Sequence, residues 1–448
     1  MKKVITYGTY DLLHEGHIHL LERAKKLGDY LIVGVTSDDF DRRRGKINVR
    51  QPLIERIEAV KNTGLADEII IEEYEGQKID DIRNYNVDIF AIGSDWTNKF
   101  DYLNEYCTVV YLPRTEGISS TQLRSKEGGI QLGFISEDAF VNKVIRETAY
   151  VNSIQVSGFY GDPSVLEADL KDKIQIFEDK QDLIDQSNAL YIYEQPKQQV
   201  KSVAQALESK RHVLAEAPLC LSVETAHDLF NKAEENHVQL VLGLRTPYCT
   251  AYNRLLLMVK SGVIGKPVQI QSVCTSMKDY ESICEGKIEH VWSSASGWAP
   301  TALLPILQIF GPEYVSSSIV VKKLASSSSR PFDLFTNIHL TYPDGVADCT
   351  VGVGYRGDNS LTIIGDRGYI FVPSPWWKTD YFEIRYEDSN ENKRYYYQLD
   401  GEGIRNELVE FKRIVNGDIT IQRVSKDVVF TMTSLLEKIK EGNYVTIQ

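Results

Sequence analysis

Two histidines separated by two residues stand near the N-terminus of the chain, in the segment GTYDLLHEGH at residues 8–17. The segment follows an apolar, strand-like run at residues 4–7 and opens an amphipathic, helix-like stretch. His14 and His17 therefore face the same way at a helix start, where backbone amides and the helix dipole also favour an anion. Such donors stabilise the negative charge that develops on the α-phosphate of a nucleoside triphosphate as pyrophosphate leaves. The motif predicts nucleotidyl transfer without a covalent protein intermediate.

A second polar segment, RTEGISST at residues 114–121, follows the strand-like run at residues 109–112. Gly117 permits a close approach of the backbone to a ligand, and the hydroxyl residues after it stand where a helix would begin and can bind a triphosphate. Arg114 can form two parallel hydrogen bonds with a phosphate. Each motif alone can also be explained as a helix cap or a packed helix end. Because both occur together, phosphate binding is the favoured interpretation.

The pattern of apolar residues predicts the elements that position these motifs. Residues 1–127 alternate strand-like and helix-like segments, as in a parallel sheet flanked by helices. Residues 130–265 repeat the alternation, and residues 266–448 change to long segments of period two, followed by helices near 404–414 and 424–440. The predicted fold class is α/β. It has an N-terminal Rossmann-like nucleotidyltransferase domain, a second Rossmann-like domain, and an α+β domain with an open, mostly antiparallel sheet.

Net charge and composition limit the classes of partner. The formal net charge of the 448 residues is −13, which argues against a general nucleic-acid surface, because binding to a phosphate backbone needs clustered lysine and arginine. No apolar run reaches the length of a membrane span, and the chain enters a strand-like run at once, so we expect no signal peptide and a cytoplasmic protein. The six cysteines are scattered without paired spacing and are expected to be free.

Residues 1–126 resemble the glycerol-3-phosphate cytidylyltransferases of the bacterial teichoic-acid pathway, which are members of the HxGH nucleotidyltransferases. The resemblance includes both phosphate-binding motifs and the segment from Gly93 to Asp101. It implies transfer of a cytidylyl group from CTP to a small phosphorylated alcohol, glycerol 3-phosphate or a related polyol phosphate. It also implies Mg²⁺ that bridges the phosphates with few protein ligands, and a homodimer.

The same resemblance implies the residues of the site. Catalytic contacts to the phosphates are implied for His14, His17, Lys46 and Arg114. Substrate binding is implied for Thr9, Tyr10, Asp11, Arg44, Arg56, Asp95, Trp96, Thr115, Ser119, Ser120 and Thr121. Of these, Asp11 is expected to organise its loop rather than to transfer a proton.

One position departs from the family pattern. Where its members tend to carry an arginine shortly before an Asp-Glu pair, this chain has Gly64 ahead of Asp67 and Glu68. The motif at Arg114 also occurs in choline- and ethanolamine-phosphate cytidylyltransferases, so it indicates the reaction better than the acceptor. The segment that contains Trp96 favours a polyol phosphate.

Residues 130–448 resemble, more distantly, the Gfo/Idh/MocA family of sugar and inositol dehydrogenases. The matching segments are 191–196, 210–218, 261–265, 365–372 and 407–417. They imply a Rossmann-like domain at residues 130–265 and an open sheet in residues 266–448.

The positions that bind a dinucleotide and transfer hydride in that family differ in this chain. The first turn, at residues 133–138, lacks the GxGxxG pattern that lets a pyrophosphate approach the backbone. Tyr160, Ala217 and Thr301 stand where the family has an acidic residue, a lysine and a histidine. We therefore expect this half to keep the fold without hydride transfer, and we do not expect NAD(P) as a cofactor.

Three functional classes remain open. The first is a cytidylyltransferase whose partner domain serves in assembly or acceptor binding. The second is a bifunctional NAD(P)H-dependent reductase and cytidylyltransferase that starts from a ketose phosphate. The third is a non-catalytic nucleotide sensor, against which the two intact phosphate-binding motifs argue. Binding of NAD(P)H would separate the first two.

Overall fold

The computed structural model describes residues 1–43, 49, 51–74, 76–113, 129–277, 293–323, 332–397, 399–419 and 422–447. The chain divides into two compact units, Met1–Gly129 and Ile130–Gln448. The further boundary near residue 265 stays a prediction. Among the described residues, no helix is long and apolar enough to cross a membrane.

The first unit is built on a parallel sheet. Its strands are β1 Lys3–Gly8, β2 Tyr30–Thr36, β3 Glu68–Glu72, β4 Ile89–Gly93 and β5 Thr108–Leu112. Its helices are α1 Glu15–Lys25, α2 Asp38–Arg43, α3 Leu53–Asn62 and α4 Gln77–Tyr85. The described strands run in the order β3-β2-β1-β4-β5, and every neighbouring pair among them is parallel. The predicted parallel sheet with flanking helices is confirmed.

Burial on both faces explains why the central strands are apolar throughout. One face of the sheet packs on α1 and α3 through residues such as Val4 and Leu21, and the other packs on α4 through residues such as Ile5 and Ile82. In β2, a Cβ on Gly34 would lie 2.2 Å from the ring of Tyr7, so only glycine fits beside that ring.

The strands β2 and β3 lie on one side of β1, and β4 and β5 lie on the other, so the strand order changes direction at β1. In open parallel sheets, ligands bind outside the carboxyl ends of the strands at such a switch point. The segment between Gly8 and α1, which carries the two histidines, lies at this place in the fold.

The second unit contains another parallel sheet. Its strands are β6 Ile130–Ser136, β7 Ile154–Tyr160, β8 Ala189–Tyr193, β9 His212–Glu216 and β10 Leu240–Gly243. In the described residues they follow the order β10-β9-β8-β6-β7. Ile176 adds an isolated parallel bridge to Phe159, at the free edge of β7. When the segment at Ile176 is counted as a short strand beside β7, the strand order matches that of dinucleotide-binding folds.

Helices surround this second parallel sheet. They are α5 Val141–Thr148, α6 Ala168–Lys171, α7 Lys180–Gln186, α8 Pro196–Glu208, α9 Val223–Glu235 and α10 Thr250–Lys260. The connections between successive strands pass through these helices, as parallel pairing requires.

A mixed sheet follows. Its strands are β11 Pro267–Ser276, β12 Ser316–Lys323, β13 Asp333–Tyr342, β14 Gly345–Val353, β15 Leu361–Gly365, β16 Tyr369–Val372, β17 Tyr381–Arg385, β18 Lys393–Tyr396 and β19 Val445–Ile447. Within the described residues the pairs β11–β14 and β12–β19 are parallel and the other pairs are antiparallel. The predicted open, mostly antiparallel sheet is confirmed.

Three helices accompany the mixed sheet in the described part of the chain: α11 Ser294–Ile309, α12 Ile404–Val415 and α13 Lys426–Lys440. The last helix begins two residues later than the sequence predicts, because the side chain of Ser425 accepts a hydrogen bond from the amide of Val428 and caps it. Five cysteines lie in the described residues and are free, and Cys284 lies outside them.

Candidate active site

The two histidines of the first motif lie side by side at the start of α1. His14 has an extended backbone and forms the N-cap, and its Nδ1 accepts a hydrogen bond from the amide of Gly16 at 3.1 Å. A neutral His14 therefore carries its proton on Nε2. The ring of His17 stacks on that of His14, with centroids 4.0 Å apart and planes 21° apart. The spacing that suggested a shared direction thus gives two adjacent imidazoles at the carboxyl end of β1.

Tyr10 supports the histidines from inside the fold. Its side chain is buried, and its ring meets that of His17 edge to face at a centroid distance of 5.5 Å. Its backbone is left-handed, with φ of 52°, which is strained for a bulky residue. A Cβ on Gly8 would lie 2.8 Å from the Tyr10 ring, so glycine is needed where the strand ends. Tyr10 therefore holds His17 in place and belongs to the core of the unit.

Arg56 on α3 has a fully buried side chain. Its guanidinium donates to the carbonyl oxygens of Thr9 at 2.6 Å, Thr36 at 2.9 Å and Gln51 at 3.0 Å, and to Oδ1 of Asp38 at 2.6 Å. These acceptors come from three separate segments, around Thr9, at 36–38 and at Gln51, that meet at the carboxyl edge of the sheet. Arg56 therefore fixes the backbone around the site, and in this structure its described contacts are with protein groups.

A second set of contacts ties the loop after β1 to the segment before α3. Oδ1 of Asp11 accepts from the amide of Gln51 at 3.0 Å, and the Gln51 side chain accepts from the amide of Leu12 at 2.7 Å. The hydroxyl of Thr9 donates to Asp41 at 3.2 Å. Asp11 and Thr9 thus both hold the loop that precedes the histidines.

Asp95 and Trp96 lie on a short 3₁₀ turn at the carboxyl end of β4, which is the strand beside β1. Asp95 is exposed. Trp96 is half-buried and packs on Phe100 with ring centroids 5.8 Å apart, on the face of the sheet that α4 covers. Tyr10 packs on the opposite face. The structure therefore brings these residues to the same edge of the sheet as the histidines but on its other side.

Several residues of the predicted site lie outside the described residues. They are Arg44, Lys46, Arg114, Thr115, Ser119, Ser120 and Thr121. Their roles stay predictions.

Lys78 is a buried cation at the same edge of the sheet, which the sequence analysis did not identify. It lies on α4, it is buried, and its ammonium group pairs with Glu72 at the end of β3. The ammonium also lies 4.6 Å from the ring centroid of Tyr7 and 5.6 Å from that of Phe100. A buried lysine at the carboxyl edge is unusual. In the sequence it looks like any polar residue of an amphipathic helix, and no spacing pattern distinguishes it.

A hydrogen-bond network surrounds this lysine. The hydroxyl of Tyr7 donates to Asp81 at 2.7 Å, and the Gln77 side chain donates to the same oxygen at 3.1 Å. Burial, followed by the bond to Asp81, raises the pKa of Tyr7 well above its usual value. Burial also raises the pKa of Asp81, although the donors Tyr7 and Gln77 oppose that shift. On the face of the sheet opposite the histidines, this edge thus offers a buried cation and buried hydrogen-bonding groups.

The matching edge of the second unit is arranged differently. At the turn after β6, Oδ1 of Asp138 accepts from the amide of Phe140 at 2.6 Å, and the Ser136 hydroxyl accepts from the amide of Asp138 at 3.0 Å. A dinucleotide pyrophosphate needs amides at this position. Ala217 follows the end of β9 and precedes a cis bond to Pro218. At the turn after β6, the carboxylate of Asp138 and the hydroxyl of Ser136 therefore accept the backbone amides themselves.

Comparison with known families gives a match for each half of the chain. Residues 5–126 match the cytidylyltransferase-like family, and residues 143–244 match the oxidoreductase family with an NAD-binding Rossmann fold. These matches confirm both resemblances read from the sequence.

Curated relatives match the first unit. A glycerol-3-phosphate cytidylyltransferase of Bacillus spizizenii is 52% identical over 129 residues, which are 28% of this chain and 95% of the relative. One from Bacillus subtilis is 50% identical over 135 residues, which are 29% of this chain and 100% of the relative. One from Staphylococcus aureus is 47% identical over 131 residues, 28% of this chain and 95% of the relative.

Solved structures match a large part of the chain in fold. A 3-ketoreductase from Actinomadura kijaniata, in complex with NADP and TDP-benzene, has a TM-score of 0.62 at 16% identity and covers 72% of this chain and 100% of its own. A UDP-N-acetylglucosamine 3-dehydrogenase from Acidithiobacillus ferrooxidans has a TM-score of 0.55 at 16% identity, covering 69% of this chain and 97% of its own. At this identity the likeness is one of fold.

Proposed function

This chain belongs to the glycerol-3-phosphate cytidylyltransferase family through its first unit, and we propose that the unit joins CTP to glycerol 3-phosphate or a related polyol phosphate. The products are a CDP-alcohol and pyrophosphate. The observation that carries the proposal is the stacked pair of His14 and His17 at the switch point of the sheet. This is where a parallel sheet binds ligands and where a helix start favours an anion.

In the proposed reaction, a phosphate oxygen of the acceptor attacks the α-phosphorus of CTP. A bond from phosphorus to the acceptor oxygen forms, the bond from the α-phosphorus to the bridging oxygen breaks, and pyrophosphate leaves with that electron pair. The imidazoles of His14 and His17 donate hydrogen bonds to the α-phosphate oxygens, where negative charge develops. Because the rings are already fixed by Gly16 and Tyr10, the site needs little reorganisation during the reaction.

Mg²⁺ fits this site as an ion held chiefly by the triphosphate. Among the described residues, no three His, Cys, Asp or Glu side chains converge where they could hold a metal. Mg²⁺ commonly keeps most of its ligands as water and phosphate oxygens. When bound, the ion neutralises part of the phosphate charge, while the histidines and the loop fixed by Arg56 orient the α-phosphate.

Lys78 is the residue that we assign to the acceptor. Its ammonium lies at the carboxyl ends of β1 and β3, across the end of β1 from the histidines, and can meet the phosphate of a polyol phosphate. The buried carboxylates of Glu72, which pairs with Lys78, and Asp81, which accepts from Tyr7 and Gln77, lie beside it and are the groups that we propose to accept hydrogen bonds from the acceptor's hydroxyls. A polyol phosphate carries both a phosphate and several hydroxyls, so it suits this combination better than phosphocholine, which has no free hydroxyl to donate.

An acceptor panel tests this assignment. Pyrophosphate release from CTP and Mg²⁺ is measured with glycerol 3-phosphate, ribitol 5-phosphate, phosphocholine and phosphoethanolamine. We expect release with one of the two polyol phosphates, and we expect Lys78→Met to raise the KM for that acceptor more than the KM for CTP. Release with phosphocholine or phosphoethanolamine alone would contradict the proposed acceptor class.

For the second unit, we propose a role without hydride transfer, in assembly or in ligand binding. The support lies at the turn after β6, where the carboxylate of Asp138 accepts the amide of Phe140, at the place where a pyrophosphate would bind. A carboxylate at that position also repels a pyrophosphate. Ala217 supplies no proton donor where the family has lysine.

A bifunctional reductase and cytidylyltransferase is the second candidate. It is favoured by the match of residues 143–244 to an NAD-binding oxidoreductase family. It is also favoured by the fold of the NADP-bound ketoreductase. Such an enzyme would reduce a ketose phosphate to the polyol phosphate that the first unit uses. Titration with NADPH separates the candidates: we expect no saturable change in NADPH fluorescence, whereas micromolar binding would favour the reductase.

The family membership also supports a homodimer and a cytoplasmic enzyme of teichoic-acid or cell-surface polysaccharide synthesis, without nucleic-acid partners. These remain proposals. The sedimentation coefficient of the full chain is the direct test of the homodimer.

A further inference from the structure

In the second unit, one carboxylate faces cations from separate elements near the carboxyl edge of the parallel sheet. Oε1 of Glu402 lies 3.2 Å from Nζ of Lys143 on α5 and 3.3 Å from Nζ of Lys378. Oε2 of Glu402 lies 3.9 Å from Nη2 of Arg245, which follows β10. The described part of the chain thus brings three cationic side chains to one carboxylate.

The backbone around Glu402 is shaped to place that carboxylate. Gly401, Glu402 and Gly403 are all left-handed, with φ of 65°, 51° and 86°. This conformation is strained for glutamate, and such strain persists only where the surroundings impose it. A Cβ on Gly403 would lie 2.7 Å from the carbonyl oxygen of Arg245, so the turn packs closely against the segment after β10. Glu402 is therefore held against the cations by its main chain.

Arg245 is also fixed from its other sides. Its guanidinium stacks on the ring of Phe140 at 4.7 Å from the centroid. It also attracts the buried carboxyls of Glu216 and Glu407. Burial raises the pKa of Glu216 to about 7 and raises that of Glu407 well above its usual value, so this pair carries less than its full negative charge near neutral pH. The cluster around Glu402 thus sets three cationic side chains against one carboxylate.

We propose that Lys143, Arg245 and Lys378 form a binding site for a phosphate monoester, and that Glu402 fills it as an internal competitor. The carboxylate of Glu402 has two oxygens and one charge. Both lysines share its Oε1, and Arg245 stays beyond hydrogen-bond distance of its Oε2. A phosphate monoester has three terminal oxygens and about two charges, so each of the three cations can contact its own oxygen.

Solvent can reach this site. The side chains of Arg245, Glu402 and Lys378 are 25%, 29% and 35% exposed, and that of Lys143 is 56% exposed. The competing explanation is an ion-pair cluster that only fastens the 401–403 turn. The two explanations predict different results when the carboxylate of Glu402 loses its charge. A binding site gains affinity for phosphate, because an internal competitor reduces the apparent affinity by the fraction of molecules in which it is bound.

Calorimetric titration of the full chain with inorganic phosphate and with glycerol 3-phosphate tests the proposal. Glu402→Gln keeps the size of the side chain and removes its charge. We expect it to add a phosphate-binding phase about tenfold tighter than in the parent protein. Lys378→Gln introduced with Glu402→Gln should remove this gain. Glu391→Gln, at an exposed glutamate of the same unit, is the matched control and should bind as the parent does.

Hydrogen exchange of the 401–405 amides gives a second readout that separates this site from phosphate binding in the first unit. Saturating phosphate should speed exchange in the parent protein by displacing Glu402, and should not do so in Lys378→Gln. Equal phosphate affinity in the parent, Glu402→Gln and Glu391→Gln, with unchanged exchange at 401–405, would overturn the proposal. Cytidylyl transfer by the first unit is measured separately, so failure of that function would leave this test unaffected.

Discussion

The imidazole rings of His14 and His17 lie 4.0 Å apart, stacked at the start of the first helix, and Tyr10 supports His17 from the core. We propose that this relationship gives the first unit its chemistry, because it fixes two donors at the place where open parallel sheets bind ligands. The residues around the histidines matter as well, because they anchor the two rings by packing and by a hydrogen bond from the backbone.

Replacing His17 with Ala should lower turnover by about two to three powers of ten, the usual effect of removing one fixed donor to a developing charge. His19 lies on the same helix, and His19→Ala is the matched control, for which we expect turnover within about threefold of the parent. The measurement is steady-state release of pyrophosphate. Equal losses in the two variants would point to a damaged helix instead of a lost donor.

Gly8→Ala should destabilise the first unit and reduce its activity, because the added Cβ would lie 2.8 Å from the ring of Tyr10. We expect a loss of about 1–3 kcal/mol in the free energy of unfolding, as is typical of overpacking. Gly93→Ala serves as the control for stability, since its Cβ would meet its nearest neighbour at 3.7 Å. Hydrogen exchange of first-unit peptides in urea measures the free energy of unfolding of both variants. A Gly8→Ala protein as stable as Gly93→Ala would contradict the role given to Tyr10.

Arg56→Lys should lower the free energy of unfolding of the first unit by about 3 kcal/mol, because lysine cannot reach all the carbonyl and carboxylate oxygens that the buried guanidinium holds. Turnover should fall as well, since the loop at Thr9 loses its anchor. Arg83→Lys changes the same residue type at an exposed position of α4 and should stay within about 0.5 kcal/mol of the parent. An equally small effect at Arg56 would show that the guanidinium does not organise the site.

The stability of the second unit should depend on the protonation of Glu216. Burial raises its pKa from an ordinary value of 4.5 to about 7, so the folded state binds the proton more tightly than the unfolded state. The resulting stability is complete below pH 4.5 and is lost as pH rises to about 7. Glu216→Gln keeps an acceptor for the hydroxyl of Tyr191, and its stability should change less over this window.

Thermal unfolding between pH 4.5 and 8 provides the comparison for Glu216. The difference between the parent and Glu216→Gln reports the titration of Glu216 together with its effect on the neighbouring Glu407, because the titrating residues outside this pair are common to both proteins. We expect the parent to lose stability relative to the variant as pH rises, by an amount on the order of 1–3 kcal/mol. A constant difference across this range would contradict the raised pKa.

The sequence predicted the parallel sheets, the mixed sheet and the position of the histidine pair, because these follow from residue periodicity and from motif spacing. It could not predict that Arg56 is fully buried, since that depends on three segments that meet only in the fold. Lys78 was missed for a similar reason. Its partner Glu72 is near in sequence, but Tyr7 lies on another strand. The cluster of Lys143, Arg245 and Lys378 around Glu402 joins elements up to 259 residues apart, which no local pattern indicates.

The most direct test of the central claim is detection of CDP-glycerol after the full chain is incubated with CTP, Mg²⁺ and glycerol 3-phosphate in the absence of NADPH. Ribitol 5-phosphate is run in parallel. We predict one CDP-polyol and one pyrophosphate for each CTP consumed with at least one of these acceptors, formed about two to three powers of ten more slowly when His17 is replaced by Ala. Formation of a CDP-polyol only when a ketose phosphate and NADPH are supplied would contradict the account, because it would make the second unit a reductase on which the first depends.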